Sequence, residues 1–116
     1  MPVVAPTAFA DFDRMFGALA DQTRRDIVRR AISAEEGIVE LASHSPMSFA
    51  AVQKHIAILE RAGLVTKERV GRRKLVRTNL ESLSVVRHLL DEYEELWRGR
   101  IDRMADLIAD TKEHDQ

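Results

Sequence analysis

Apolar positions along the chain fall into helix-period runs, interrupted once by a short alternating stretch. From Ala8 to Ala20, Phe9, Phe12, Phe16 and Leu19 recur at spacings of three, four and three. That predicts an amphipathic helix with an aromatic stripe. The residues before it, with Pro2 and Pro6, read as an irregular arm. Asp21 is placed to cap a second helix ending near Ala31 or Ile32, with Ile27, Val28 and Ala31 inward and Arg24, Arg25, Arg29 and Arg30 outward. Arg24 falls in the first turn, which the helix dipole disfavours, so either a carboxylate partner or a solvated guanidinium is expected. After a turn over 33–37, residues 38–43 predict a short helix burying Leu41, and His44-Ser45-Pro46 a turn. Met47 is expected to pack inward.

The next stretch, Ser48 to Gly71, organises the rest. Ser48 can cap a helix in which Val52, Ile56 and Leu59 form a buried stripe, and Ala62-Gly63 ends it. The opposite side carries Ala50, Gln53, Lys54 and Ala57, a flat polar face suited to a DNA major groove and of no use to a core helix. Two helices joined by a short turn, 38–62 in all, make a helix-turn-helix. Residues 64–70 then alternate as a strand, Gly71-Arg72-Arg73 is a hairpin tip, and 74–78 return as a second strand, with Leu75 and Arg77 on one face and Val76 on the other. The hairpin, 64–78, is a wing whose tip carries Arg72, Arg73 and Lys74 with no acid beside them, an arrangement useful against phosphate.

Asn79 caps the last predicted helix, 80–112. Leu83, Val86, Leu90, Tyr93, Trp97, Ile101, Met104 and Ile108 keep to one face of it for about seven of its roughly nine turns. A monomer of 116 residues has too little surface to cover so long a stripe. The helices over 8–20 and 80–112 are therefore expected to dimerise, through Phe9, Phe12, Phe16, Tyr93, Trp97, Ile101, Met104 and Ile108. The predicted fold is mostly α with a small β-hairpin: a single winged helix-turn-helix domain over 1–116, with five helices and a long C-terminal dimerisation helix.

Composition sharpens this. The net charge is −1, but residues 48–78 hold 8 Lys and Arg against 2 Asp and Glu, a local +6 between −2 before it and −5 after it. A basic middle between acidic ends suits a body with one polyanion-binding face. The absence of cysteine removes disulfides and thiolate metal sites, and a small domain without such staples suits the cytoplasm. The N-terminus lacks the pattern of a signal peptide, and no apolar run reaches the roughly 18 residues of a membrane span. No nucleophile–base pair or phosphate loop marks an enzyme: Ser48 and His55 are two turns apart on one helix.

In LADQTRRDIV (19–28), VELA (39–42), MSFAAVQKHIAILERAGLVTKERVGRRKLVRTN (47–79) and the long last helix, the chain resembles the ArsR family of winged-helix transcriptional repressors, in the subset without metal-binding cysteines. The resemblance implies a homodimeric repressor on a palindromic operator of double-stranded DNA. It places Ser48, Phe49, Ala50, Gln53 and Lys54 towards the bases, with Arg72, Arg73 and Lys74 on the backbone or minor groove. Gln53 is the best base reader, since its amide can pair bidentately with adenine. Phe49 and Ala50 depart from the polar residues usual there, and Phe49 either meets a thymine methyl or packs under the motif. His55 matches a recurrent histidine, with DNA contact and an internal hydrogen bond both open.

The family's usual metal switch is missing. VELAS (39–43) has no thiolate, and His88 with Asp91 and Glu92 makes a poor transition-metal site. No metal or cofactor is expected, and the effector is unknown. If there is one, the seam between first and last helices, walled by Phe12, Phe16, Tyr93 and Trp97, is the expected pocket, although core or dimer packing explains the same aromatics. The alternative to a DNA-binding regulator is a winged-helix protein-interaction module.

Overall fold

The computed structural model describes residues 4–114, and the side chains of residues 11–112. Five helices and one hairpin follow in the order α1 (Val4–Leu19), α2 (Gln22–Ser33), α3 (Ile38–Ser43), α4 (Phe49–Arg61), β1 (Val65–Val70), β2 (Arg73–Thr78) and α5 (Leu80–His114). The described chain divides into two compact units, one up to Leu83 and one from Ser84.

In the first unit, α1 begins four residues before the expected Ala8 and takes in Pro6. Proline is tolerated in a first turn, because its missing N–H has no intrahelical partner to lose. The buried line of α1 runs through Met15 and Ala18, one position beside the expected aromatic stripe. Phe12 is half-buried and Phe16 exposed, their rings stacked at 6.5 Å between centroids. The side chain of Phe9 lies outside the described residues.

Asp21 caps α2 as expected, its carboxylate accepting the Arg24 N–H at 3.1 Å. The expected partners of Arg24 are corrected. Its side chain, partly exposed, has no carboxylate partner among the described residues; it donates from Nε to the carbonyl of Ala18 (2.7 Å) and from Nη2 to that of Gly17 (3.1 Å). Arg25 donates to the next one, Leu19, at 2.8 Å. The last carbonyls of α1 lack helical partners and carry the negative end of its dipole, so two guanidinium groups satisfy both demands.

The core of this unit is the meeting of α2, α3, α4 and the hairpin: Ile27, Val28, Leu41, Val52, Ile56, Leu59, Leu64, Val65, Leu75 and Val76 are all buried. Met47 is the exception to expectation. It is 38% exposed, because Ser45 Oγ accepts the Met47 N–H at 3.1 Å and the turn so fixed leaves the side chain at the surface. Ser48 caps α4 by accepting the Ala51 N–H at 3.2 Å. Gly63 ends it at φ 77°, a left-handed conformation that favours glycine. The Gly63 carbonyl accepts both Ser82 Oγ (2.6 Å) and Asn79 Nδ2 (3.1 Å), so the stop of α4 and the start of α5 share one acceptor.

The hairpin is antiparallel, with Val65 opposite Thr78 and Val70 opposite Arg73. Its loop is two residues, one fewer than expected. Gly71 at φ 62° takes the first central position, as a II′ turn requires. Leu75 and Val76 take opposite faces of β2, as alternation predicted, and both are buried. The reason is that β2 packs against α2 and α3 while β1 packs against α4, so the base of the hairpin is covered on both faces. The free edge of β2 is covered as well: Gly37 bridges to Leu75, and the Val76 N–H donates to the Glu36 carbonyl at 3.2 Å.

The second unit is the continuation of α5, a helix of 35 residues in all. Tyr93, Leu96, Trp97, Ile101, Met104, Leu107 and Ile108 are each 46–65% exposed. Around them lie solvent-facing pairs, Arg98 with Glu94 and Arg87 with Asp91, and the Arg100 guanidinium 5.7 Å from the Trp97 ring. No described helix is long and apolar enough to cross a membrane.

Candidate nucleic-acid interface

The burial of Val52, Ile56 and Leu59 turns the opposite side of α4 outward. Ser48, Phe49, Ala50, Gln53 and Lys54 are all exposed there, Phe49 at 46%, so Phe49 does not pack under the motif. His55 stands apart. It is half-buried, and its Nδ1 lies 3.3 Å from Nη1 of Arg24. A guanidinium only donates, so in this hydrogen bond Nδ1 is the acceptor. Of the two roles left open by the sequence, the structure supplies the internal hydrogen bond. Arg24 thereby ties the end of α1, the start of α2 and the middle of α4 together. The Asp21 carboxyl is held below the ordinary carboxylate range, first by the Arg24 N–H and then, against partial burial, by the charge of Arg24.

The basic block resolves into two groups. Three of its eight cations are engaged: Lys67 by Glu60 at 3.5 Å, Arg73 by Glu40 at 2.6 Å, and Arg77 by Glu68 and, at 3.2 Å, by Glu35. The expectation that the wing tip has no acid beside it is thus corrected for Arg73. Glu40 lies 33 residues away in sequence, and only the fold brings it near. The same carboxylate accepts the Gly37 N–H at 2.5 Å, capping α3. Partial burial works to raise the Glu40 pKa, but the Gly37 N–H and the Arg73 charge outweigh it and the net direction is down. An added Cβ at Gly37 would fall 2.6 Å from Glu40 Oε2, displacing that carboxylate, and 3.1 Å from the Lys74 carbonyl.

Lys54, Arg61, Arg69, Arg72 and Lys74 have no ion-pair partner among the described residues. Arg69 was not singled out by sequence reasoning. In the register it stands opposite Lys74, on the same face of the hairpin, and Arg73 on the other. A like-charge cross-strand pair is unfavourable on its own and becomes favourable beside a polyanion. The two-residue loop was the signal that could have found it, since loop length sets which residues oppose one another. Among the described residues, no group of three or more His, Asp or Glu could hold a metal ion.

A polar helix face, a hairpin tip with unpaired cations and the three-helix support behind them define a winged helix-turn-helix transcriptional regulator. No protein-family model matches the chain. HTH-type transcriptional regulator Rv2034 of Mycobacterium tuberculosis is 35% identical over 96 residues, spanning 83% of this chain and 87% of that protein. The crystal structure of the ArsR family transcriptional regulator RHA00566 superposes with a TM-score of 0.71 at 31% identity, over 77% of this chain and 92% of that one. The fold is also that of the homodimeric winged helix-turn-helix DNA-binding domain of Mb0332 from Mycobacterium bovis, with a TM-score of 0.63 at 21% identity over 79% and 89% of the two chains. The chain belongs to the ArsR family of winged helix-turn-helix, DNA-binding transcriptional regulators.

Proposed function

We propose that the protein is a homodimeric repressor acting in the cytoplasm, whose two α4 helices enter successive major grooves of a palindromic operator. The observation that carries this reading is the sorting of the basic block. The cations without partners, Lys54, Arg69, Arg72 and Lys74 among them, belong to α4, whose outward face offers Gln53, and to the hairpin tip. In this reading Ser48, Phe49, Ala50, Gln53 and Lys54 meet the groove, Gln53 reads a base, and Arg69, Arg72 and Lys74 meet phosphates. Arg73 acts as a strut rather than a phosphate contact, and His55 as a brace for α4.

Dimerisation is assigned to 8–20 and 80–112. Support comes from the exposed apolar stripe of α5, which runs along a helix about 52 Å long; contiguous apolar patches of this kind mark interaction surfaces. A fold relative that is itself homodimeric agrees with it. Without cysteine, any switch works by some means other than thiolate–metal binding.

The test is fluorescence anisotropy on the region upstream of the protein's own gene, repeated between 50 and 200 mM salt. Several phosphate contacts predict a steep fall in affinity over that range. Gln53→Ala should cost about 1–3 kcal/mol of discrimination at one base position. Flat salt dependence, or equal affinity for shuffled DNA, would rule the reading out.

A further inference from the structure

Among the described residues, a groove of about 510 Å³ lies between α2 and the 44–47 turn that leads into α4. That volume is in the range of small-molecule sites. None of the four aromatics expected to wall an effector pocket lines it. Ile27, Leu41 and Val52 close its floor but are themselves buried, and the apolar surface that it offers comes from Pro46 and Met47, both exposed. Its rim carries Arg25 and Arg29, one helical turn apart on α2. Neither has a carboxylate partner among the described residues. One Arg25 nitrogen is held by the Leu19 carbonyl, and the Arg29 guanidinium has no hydrogen-bond partner there. The acid on the same rim, Asp26, is engaged by Arg30 at 3.6 Å, and Arg30 also by Glu36 at 3.6 Å. Two like charges at this spacing repel each other, and an anion between them turns the repulsion into attraction.

We propose that this groove binds a small organic acid, its apolar body against Pro46 and Met47 and its carboxylate between Arg25 and Arg29. An arginine fork matches a carboxylate in geometry as well as charge. Occupancy acts on DNA binding because Val52 lies early in α4 and Met47, on the rim, belongs to the turn that aims it. This regulatory half rests on the DNA-binding reading above; the binding half does not.

The test titrates the full chain, free of DNA, with naphthalene-2-carboxylate, phenylacetate, hexanoate and decanoate, read by backbone amide and Met47 methyl NMR shifts. At least one acid should give saturable shifts at Met47 and across 41–52, while its uncharged amide gives none at the same concentration. Arg25→Gln with Arg29→Gln should weaken binding about tenfold or more and leave the fold intact by circular dichroism. Arg29→Gln alone, which loses no internal hydrogen bond, carries the comparison if the double variant melts early. The acid that binds should then weaken operator binding in a separate anisotropy titration. Silence across all four acids, equal binding of the amide, or full binding to the variants overturns the site. So does a loss of DNA affinity with shallower salt dependence in the variants without acid, which would make the arginines phosphate contacts. Binding that leaves DNA affinity unchanged overturns the regulatory half. A protein that never binds DNA sinks the reading above and leaves the titration readable.

Discussion

Nη1 of Arg24 lies 3.3 Å from Nδ1 of His55, while Nε and Nη2 of the same guanidinium hold the carbonyls of Ala18 and Gly17. One side chain thus satisfies the open end of α1 and steadies α4. Arg24→Ala should destabilise the protein by about 1–3 kcal/mol, the usual cost of losing hydrogen bonds to a charged group. Arg24→Lys should recover little of it, because a single ammonium cannot reach three acceptors in the plane of a guanidinium fork. Urea unfolding of the three proteins checks this; parity of the lysine variant with the parent would show that charge alone matters.

The wing separates two arginines that are neighbours in sequence. Arg72→Ala should weaken binding to all DNA about equally and lower the slope of log affinity against log salt by about 1. Arg73, held by Glu40 at 2.6 Å, should behave otherwise. Arg73→Gln should leave that slope close to the parent's and show its main effect as a lower melting temperature. Anisotropy across a salt series, beside thermal melts, distinguishes the two, and equal slopes for both variants would contradict the sorting.

Acid should act through Asp21 and Glu40. Both carboxyls sit below their ordinary range when folded, Asp21 through the Arg24 N–H and Glu40 through the Gly37 N–H and Arg73 against partial burial. A carboxyl whose folded pKa is depressed gives stability that is fully present above its unfolded pKa and is lost as pH falls through the folded value. Stability should therefore decline below about pH 4. In Asp21→Asn with Glu40→Gln, the decline should be shallower. Melting temperatures from pH 7 to pH 2.5 supply the measurement, and parallel acid limbs would refute the assignment.

The apolar stripe of α5 makes a prediction about association. Ile101→Glu with Met104→Glu puts two charges where both side chains are now about half exposed, at 46% and 53%. Neither substitution disturbs the core of the first unit, so the secondary structure by circular dichroism should survive. In a dimer built on this stripe, sedimentation velocity should show the variant as a monomer and operator affinity should fall with it. A parent protein that sediments as a monomer at micromolar concentration would remove the basis for the proposal.

Helix period, caps and glycine stops were all legible from the chain, because each is local. Ser48, Asp21 and Gly63 act within a few residues of themselves, and the spacing of Val52, Ile56 and Leu59 fixes which face of α4 is outward. Partners were legible only where they are near in sequence. Nothing between Arg73 and Glu40 marks them as a pair, and the same holds for Arg24 and His55. Leu75 and Val76 show the other limit: alternation states which face a strand residue takes, but not whether both faces will be covered.

The register of the hairpin has a consequence for how this chain can change length. Leu75 and Val76 anchor β2, so a residue inserted between Lys74 and Leu75 would shift both cations before it by one position. Lys74 would then come to the face of Glu40 and Arg73 would leave it, although the composition of the tip would be unchanged. Lineages of this wing should therefore gain or lose residues there in pairs, and exchange arginine for lysine more freely than they change length by one.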